Sequence, residues 1–188
     1  MNWEKVRKSL QTIMEMDNCH VHLDLIAGLP KESFSEFAHS FNGVYGLFPH
    51  QIQLGFLKVL PGSHLDKEKE KWGLVYQSQA PYEIISTPEI TQEELDKLRK
   101  IDKTVECFFN SNRFRETFRY LLHKIKAHNP FQFFYEFSQF LPDSQKDWQQ
   151  MPQRSYLLYD FLCQKYPADK ELWKDLLAID WILYGKGE

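Results

Sequence analysis

The stretch Cys19-His20-Val21-His22-Leu23-Asp24-Leu25-Ile26-Ala27-Gly28-Leu29-Pro30 decides the fold. Read with period two, it sets His20, His22, Asp24, Ile26 and Gly28 on one face and Val21, Leu23, Leu25 and Ala27 on the other. The second face is apolar throughout, whereas the first is mostly polar and ends in glycine. An amphipathic helical pattern precedes this strand and a helical pattern follows it, which is the alternation that builds a parallel sheet. The apolar face is therefore expected to lie under helices and the polar face to line an interior.

A second stretch, Gln51 to Leu60, repeats the plan. Gln51, Gln53 and Gly55 share one parity, and Ile52, Leu54 and Phe56 share the other. A filled barrel stacks Val, Ile and Leu inside, so two strands that both offer polar groups and a glycine leave room for a ligand.

Composition limits the partners. The chain of 188 residues is 43% hydrophobic and 15% aromatic, ample for a core, and its formal charge of −3 provides no basic field for a phosphate backbone. Nucleic acid is not an expected partner. Cys19, Cys107 and Cys163 are odd in number and far apart in sequence, which argues against a disulfide framework and fits a reducing compartment. No apolar run approaches the ~20 residues of a membrane span, and the first helix is charged, so no membrane is expected and a cytoplasmic location is.

In chain order, Asn2 is placed to cap a first helix over Met1 to Met16, with Val6, Leu10, Ile13 and Met14 at helical spacing. Ser33 with Glu36 has the form of a capping box, opening a helix whose stripe includes Phe34, Phe37, Phe41 and Val44. Pro61-Gly62-Ser63 then turns the chain off the sheet, and residues 72–87 read as an irregular connector with a little extended structure. Thr91 with Glu94 is a second capping box, for a helix running to about Phe109. Four further helices are expected over Phe114 to Lys126, Phe131 to Leu141, Ser155 to Tyr166 and Lys170 to Tyr184. The aromatic run from Phe131 to Phe140 is too dense for a surface helix; it is either buried among neighbours or a contact surface.

Two strands neither close a barrel nor make a stable sheet alone. The fold class expected is an α/β fragment, the last β/α units of a partial TIM-like barrel over residues 1–64, then a connector over 65–90 and a mainly α-helical domain over 91–188.

These residues carry a resemblance. Asp24-Leu25-Ile26-Ala27-Gly28-Leu29-Pro30 resembles the fifth-strand motif of radical S-adenosylmethionine (SAM) enzymes. Gln53 to Leu60 followed by Pro61-Gly62-Ser63 resembles their sixth strand and its exit. Pro81-Tyr82-Glu83 and Asn110-Ser111-Asn112-Arg113-Phe114 resemble the uncharacterised helical C-terminal region of one subfamily, whose full-length members carry an N-terminal cobalamin-binding domain.

The resemblance implies a partial (β/α)6 barrel, SAM cleaved at a four-iron four-sulfur cluster, and an association with cobalamin. It implies oxidoreductase, cyclase-like or methyltransferase-like chemistry on an unknown substrate. By the same resemblance, Ile26 and Gly28 would contact the adenosine, and Leu57 would supply sixth-strand backbone to the adenine. His22, Asp24, Gln53 and Lys58 are the substrate-binding candidates. The Cys-x3-Cys-x2-Cys loop that such a cluster needs does not occur in the sequence. The chain alone is therefore expected to be inactive and to hold no cofactor. It reads as an excised or truncated C-terminal part whose first partner is the missing N-terminal part of the same protein.

Two other readings stay open. The aromatic helices could form a stand-alone interaction module. Alternatively His20, His22 and Asp24, as His-x-His-x-Asp, could be the metal motif of a hydrolase. Against the second, barrel active sites lie at the C-terminal ends of strands, and both histidines are near the other end. Hydrogen-bonded interior polar groups are the expected role for these side chains, with no metal bound. Self-association is expected through the exposed sheet edge or the aromatic helices.

Overall fold

A computed structural model describes residues 3–16, 18–125, 129–144, 148 and 150–185. The chain forms two compact units, Met1–Asp102 and Lys103–Glu188. It is an α/β mixture in which helices predominate.

The first unit contains α1 (Trp3–Glu15), β1 (His22–Ala27), α2 (Phe34–Tyr45) and β2 (Gln51–Phe56), then α3 (His64–Lys67), β3 (Val75–Tyr76), β4 (Ile84–Ser86) and α4 (Gln92–Thr104). The α4 helix runs across the division between the units. The β1 and β2 strands pair in parallel, with His22 opposite Gln51, Asp24 opposite Gln53 and Ile26 opposite Gly55. Both expected capping boxes form. The Ser33 N–H donates to Glu36 Oε2 at 2.9 Å, and the Thr91 N–H donates to Glu94 Oε2 at 2.9 Å. Each reciprocates through its hydroxyl, which accepts from the glutamate N–H and satisfies an otherwise orphaned helix donor.

The apolar side of the strand pair is covered unevenly. Ile52, Leu54 and Ala27 are buried, but Leu23 and Leu25 are only half-buried. They line a groove of about 470 Å³ with Trp3, Val6 and Leu10 of α1 and Gly43 of α2. The α1 helix buries none of its residues. Its expected cap, Asn2, lies outside the described residues.

The connector contains the short antiparallel pair β3–β4. Just beyond β2, the Val59 N–H donates to Tyr82 O and the Ile84 N–H to Leu57 O, each at 2.9 Å, so the exit of the second strand is tied to β4. Arg99 of α4 donates to Glu83 Oε1 at 2.7 Å and to the Ile84 carbonyl at 3.3 Å. Its guanidinium also lies 4.9 Å from the centre of the Phe56 ring. Glu83 is thus a clamp between connector and helix.

The second unit opens with a π-helical turn, Val105–Phe109, in which the Asn110 N–H donates to Val105 O at 2.9 Å. The expected continuous helix to Phe109 therefore changes pitch at its end, which lets adjacent Phe108 and Phe109 both be buried. Then come α5 (Arg115–Ile125), α6 (Pro130–Phe140), α7 (Met151–Lys165), a 3₁₀ turn (Pro167–Asp169) and α8 (Lys170–Tyr184). The α7 helix begins a turn earlier than expected from Ser155, because Pro152 fits a helix's first turn, where no N–H is needed.

The aromatic run of α6 is interior. Phe131, Phe133, Phe134 and Phe137 are buried. Phe137 packs with its ring centre 4.7 Å from both Phe108 and Phe161. At the other end of the unit, both oxygens of buried Asp180 accept backbone N–H groups, from Glu116 at 2.8 Å and Thr117 at 3.1 Å. A side chain 64 residues away in sequence thereby caps the start of α5.

Candidate functional site

In the parallel ladder, the Gln51 N–H donates to Val21 O and the Leu57 N–H to Ala27 O. The odd-numbered residues of β1 therefore exchange backbone bonds with β2. His22, Asp24 and Ile26 turn their backbone groups to the opposite edge, where no strand pairs with β1 among the described residues.

The in-register pairing makes the two polar faces one. His22 with Gln51, Asp24 with Gln53, and Ile26 with Gly55 form three rungs on a single side of the sheet. His22, Asp24 and Gln53 are exposed on it, and Ile26 is 48% exposed. These side chains were expected as hydrogen-bonded interior groups. They face outward because two strands enclose nothing on that side. Lys58 is exposed too, just past the end of β2, where it bridges to Glu83.

The two glycines at the C-terminal end of the strands differ in kind. Gly28 has φ +83°, and a Cβ there would sit 2.7 Å from Ile84 Cγ2, so the turn and the packing of β4 both require glycine. At Gly55 a Cβ would meet only Leu25 O, at the ordinary distance of 3.6 Å. The fold does not demand glycine there. Bare backbone at Gly55 beside exposed Ile26 makes a flat, apolar ledge.

Leu57 departs from the expected alternation and is buried. Its N–H donates to Ala27 O and its carbonyl accepts from the Ile84 N–H. Only the carbonyl's second lone pair is left for any ligand at this position.

Glu32, in the turn after β1, is more enclosed than a surface charge. One carboxylate oxygen is sealed from solvent without a hydrogen-bond partner. Burial, with the neighbouring Glu36 carboxylate, raises its pKa above the usual carboxylate range.

At the N-terminal end, the histidines form a cluster of tilted and edge-on rings that sequence reasoning missed. The His20 ring lies 4.7 Å from His22 and 4.5 Å from His50, and His50 Nδ1 accepts the Val21 N–H at 3.0 Å. His50 joins only through the pairing of the strands, which no local pattern reveals. Among the described residues, no group of three or more His, Cys, Asp or Glu side chains is placed to hold a metal ion. None of the described helices is long and apolar enough to cross a membrane.

Residues 70–188 match the model of a protein family of unknown function, DUF4080. The chain belongs to this family. No curated protein matches it. The DUF4080 match covers the connector hairpin, the Glu83–Arg99 clamp and the whole helical unit. The polar strip and the ledge, residues 22–58, lie before it.

Proposed function

We propose that this DUF4080 chain supplies the last two β/α units of a radical SAM barrel, with the helical unit appended. What supports the reading most is the strand register. Two strands pair in parallel so that their polar faces coincide, as the inner wall of a ligand-holding barrel requires.

In this reading the ledge of Ile26 and Gly55 takes the flat face of the adenosine. Gly28 shapes the turn, and Leu57 offers only its remaining carbonyl lone pair. His22, Asp24, Gln53 and Lys58 line the substrate side. The open edge of β1 receives the preceding strand, from an N-terminal part of the same protein, and is also the route by which isolated copies would pair. The cytoplasm is the compartment that suits three cysteines outside any disulfide and an oxygen-labile cluster.

The residues present fit the adenosine part of SAM but not the cluster. Three cysteines distant in sequence cannot bind three irons of one cluster from a short loop. Its ligands, and any cobalamin contacts, would come from the upstream part. When bound, the cluster would supply the electron that cleaves SAM; this chain would bind and orient the adenosine and the substrate.

The test is anaerobic reconstitution with iron and sulfide, done on the chain alone and on the polypeptide extended upstream. The extended protein should acquire the cluster's broad visible absorption and, with a reductant, convert SAM to 5′-deoxyadenosine. Failure of the extended protein to do either would end the reading. Metal-dependent ester hydrolysis by the short chain, lost in His22→Ala, would replace it with a hydrolase.

A further inference from the structure

Between α7 and α8, from the first turn of α8 just after Pro167–Asp169 as far as Trp181, lies a cleft of about 800 Å³. That volume is within the range of small-molecule sites, roughly 300–1,000 Å³. Tyr156, Tyr159, Leu177 and Trp181 form its apolar lining, and Lys170 and Lys174 stand on the same lining, one helical turn apart on α8. Neither lysine makes an ion pair among the described residues. Glu171 is the single carboxylate among the lining residues, so the cations outnumber it.

The aromatic surfaces are presented rather than packed, with Tyr156 72% and Trp181 44% exposed. On α8 the apolar floor from Leu177 to Trp181 is about one turn long. A docked helix needs anchors spread over two turns or more; a flat molecule of a few rings needs one.

We infer that this cleft binds a small organic anion with a flat aromatic body, its rings on Trp181 and Tyr156 and its charge toward Lys174, with Lys170 a turn further along adding to the positive field. The site lies wholly within the helical unit and does not depend on the radical SAM reading.

The experiment uses the full chain and two fluorescent probes with the same rings: anilinonaphthalene sulfonate, and uncharged phenylnaphthylamine. The sulfonate should bind saturably at one per chain, and its affinity should fall as salt rises. Trp181→Ala should weaken both probes, by about tenfold. Lys170→Glu with Lys174→Glu should weaken the sulfonate at least about fivefold and leave the uncharged probe unchanged. Ile182→Ser, on α8 but outside the cleft, should change neither.

The inference is overturned if the sulfonate binds without one-to-one saturation or if charge reversal leaves its affinity untouched. It is equally overturned if Ile182→Ser, rather than Trp181→Ala, abolishes binding. Far-ultraviolet circular dichroism of each variant separates lost binding from lost structure.

Discussion

In the helical unit, Phe108, Phe118, Phe133, Phe134, Phe137 and Trp173 are all essentially inaccessible to solvent. In the β1–β2 pair of the other unit, only Ala27, Ile52 and Leu54 are buried, α1 buries nothing, and the opposite face, polar except at the Ile26–Gly55 rung, buries none of its residues. Both regions are rich in apolar residues, so composition does not explain the contrast. A helix buries a stripe against whichever neighbours it has, and several short helices can close a core among themselves. A parallel strand needs partners on both edges and cover on both faces before its side chains are enclosed. The helical unit closes its core among its own helices, whereas the strand pair stays open on one face and, among the described residues, unpaired at the β1 edge.

The contrast is sharpened most by Phe137→Ala. It removes a ring in contact with Phe108, Phe133 and Phe161, and a large-to-small change in such a core costs about 3–5 kcal/mol. Urea unfolding followed by circular dichroism should show the helical unit destabilised or unfolded. In the strand pair, Leu23→Ala should cost far less, since that side chain already borders open groove.

Asp180→Ala comes next. It strands the Glu116 and Thr117 N–H groups at the start of α5, the first part-buried and the second buried, and leaving them unsatisfied costs about 2–4 kcal/mol. Asp180 also gives the unit a pH signature. Burial raises its folded pKa above the unfolded value, against the lowering effect of its hydrogen bonds. The folded state therefore holds the proton more tightly. Its contribution is complete below the unfolded value of about 3.9 and is lost as pH rises through the raised folded value. Asp180→Asn should flatten that slope. A second signature lies in alkali: burial pushes Tyr166 up to about 12. Its contribution should fade as pH climbs from its unfolded value of about 10 through the folded one, and Tyr166→Phe should remove that fade.

The two glycines separate fold from ligand within the strand unit. Gly28→Ala forces a Cβ against Ile84 at a positive φ and should cost about 1–3 kcal/mol. Gly55→Ala should stay within about 0.5 kcal/mol of wild type. On the proposed reading it would weaken SAM binding in the extended protein. Arg99→Ala should cost about 1 kcal/mol or less, because its pair with Glu83 is partly exposed.

The parity of both strands, the helix–strand order and both capping boxes could be read from sequence, because each is a local pattern of side-chain chemistry. What could not be read depends on contacts distant in sequence. The alternation of Gln51, Gln53 and Gly55 extends on paper to Leu57, but the ladder ends at Phe56 and the chain there pairs with residues 82–84, so Leu57 is buried. His50 meets His20 only because the strands pair, and Asp180 caps a helix from the far end of its unit. The density of aromatics on α6 excluded a surface helix but left burial and a contact surface both open, and the structure buries Phe131, Phe133, Phe134 and Phe137. The exposure of His22 and Asp24 followed from the number of strands, which their own segment does not encode.

Amide hydrogen exchange along β1 tests the central claim most directly. In the chain alone, the amides of Leu23, Leu25 and Ala27 should be protected by β2, while those of His22, Asp24 and Ile26 exchange quickly at the unpaired edge. Extending the polypeptide upstream should bring the second set to the protection of the first. Equal protection of both sets in the chain alone, or no change on extension, would contradict the account.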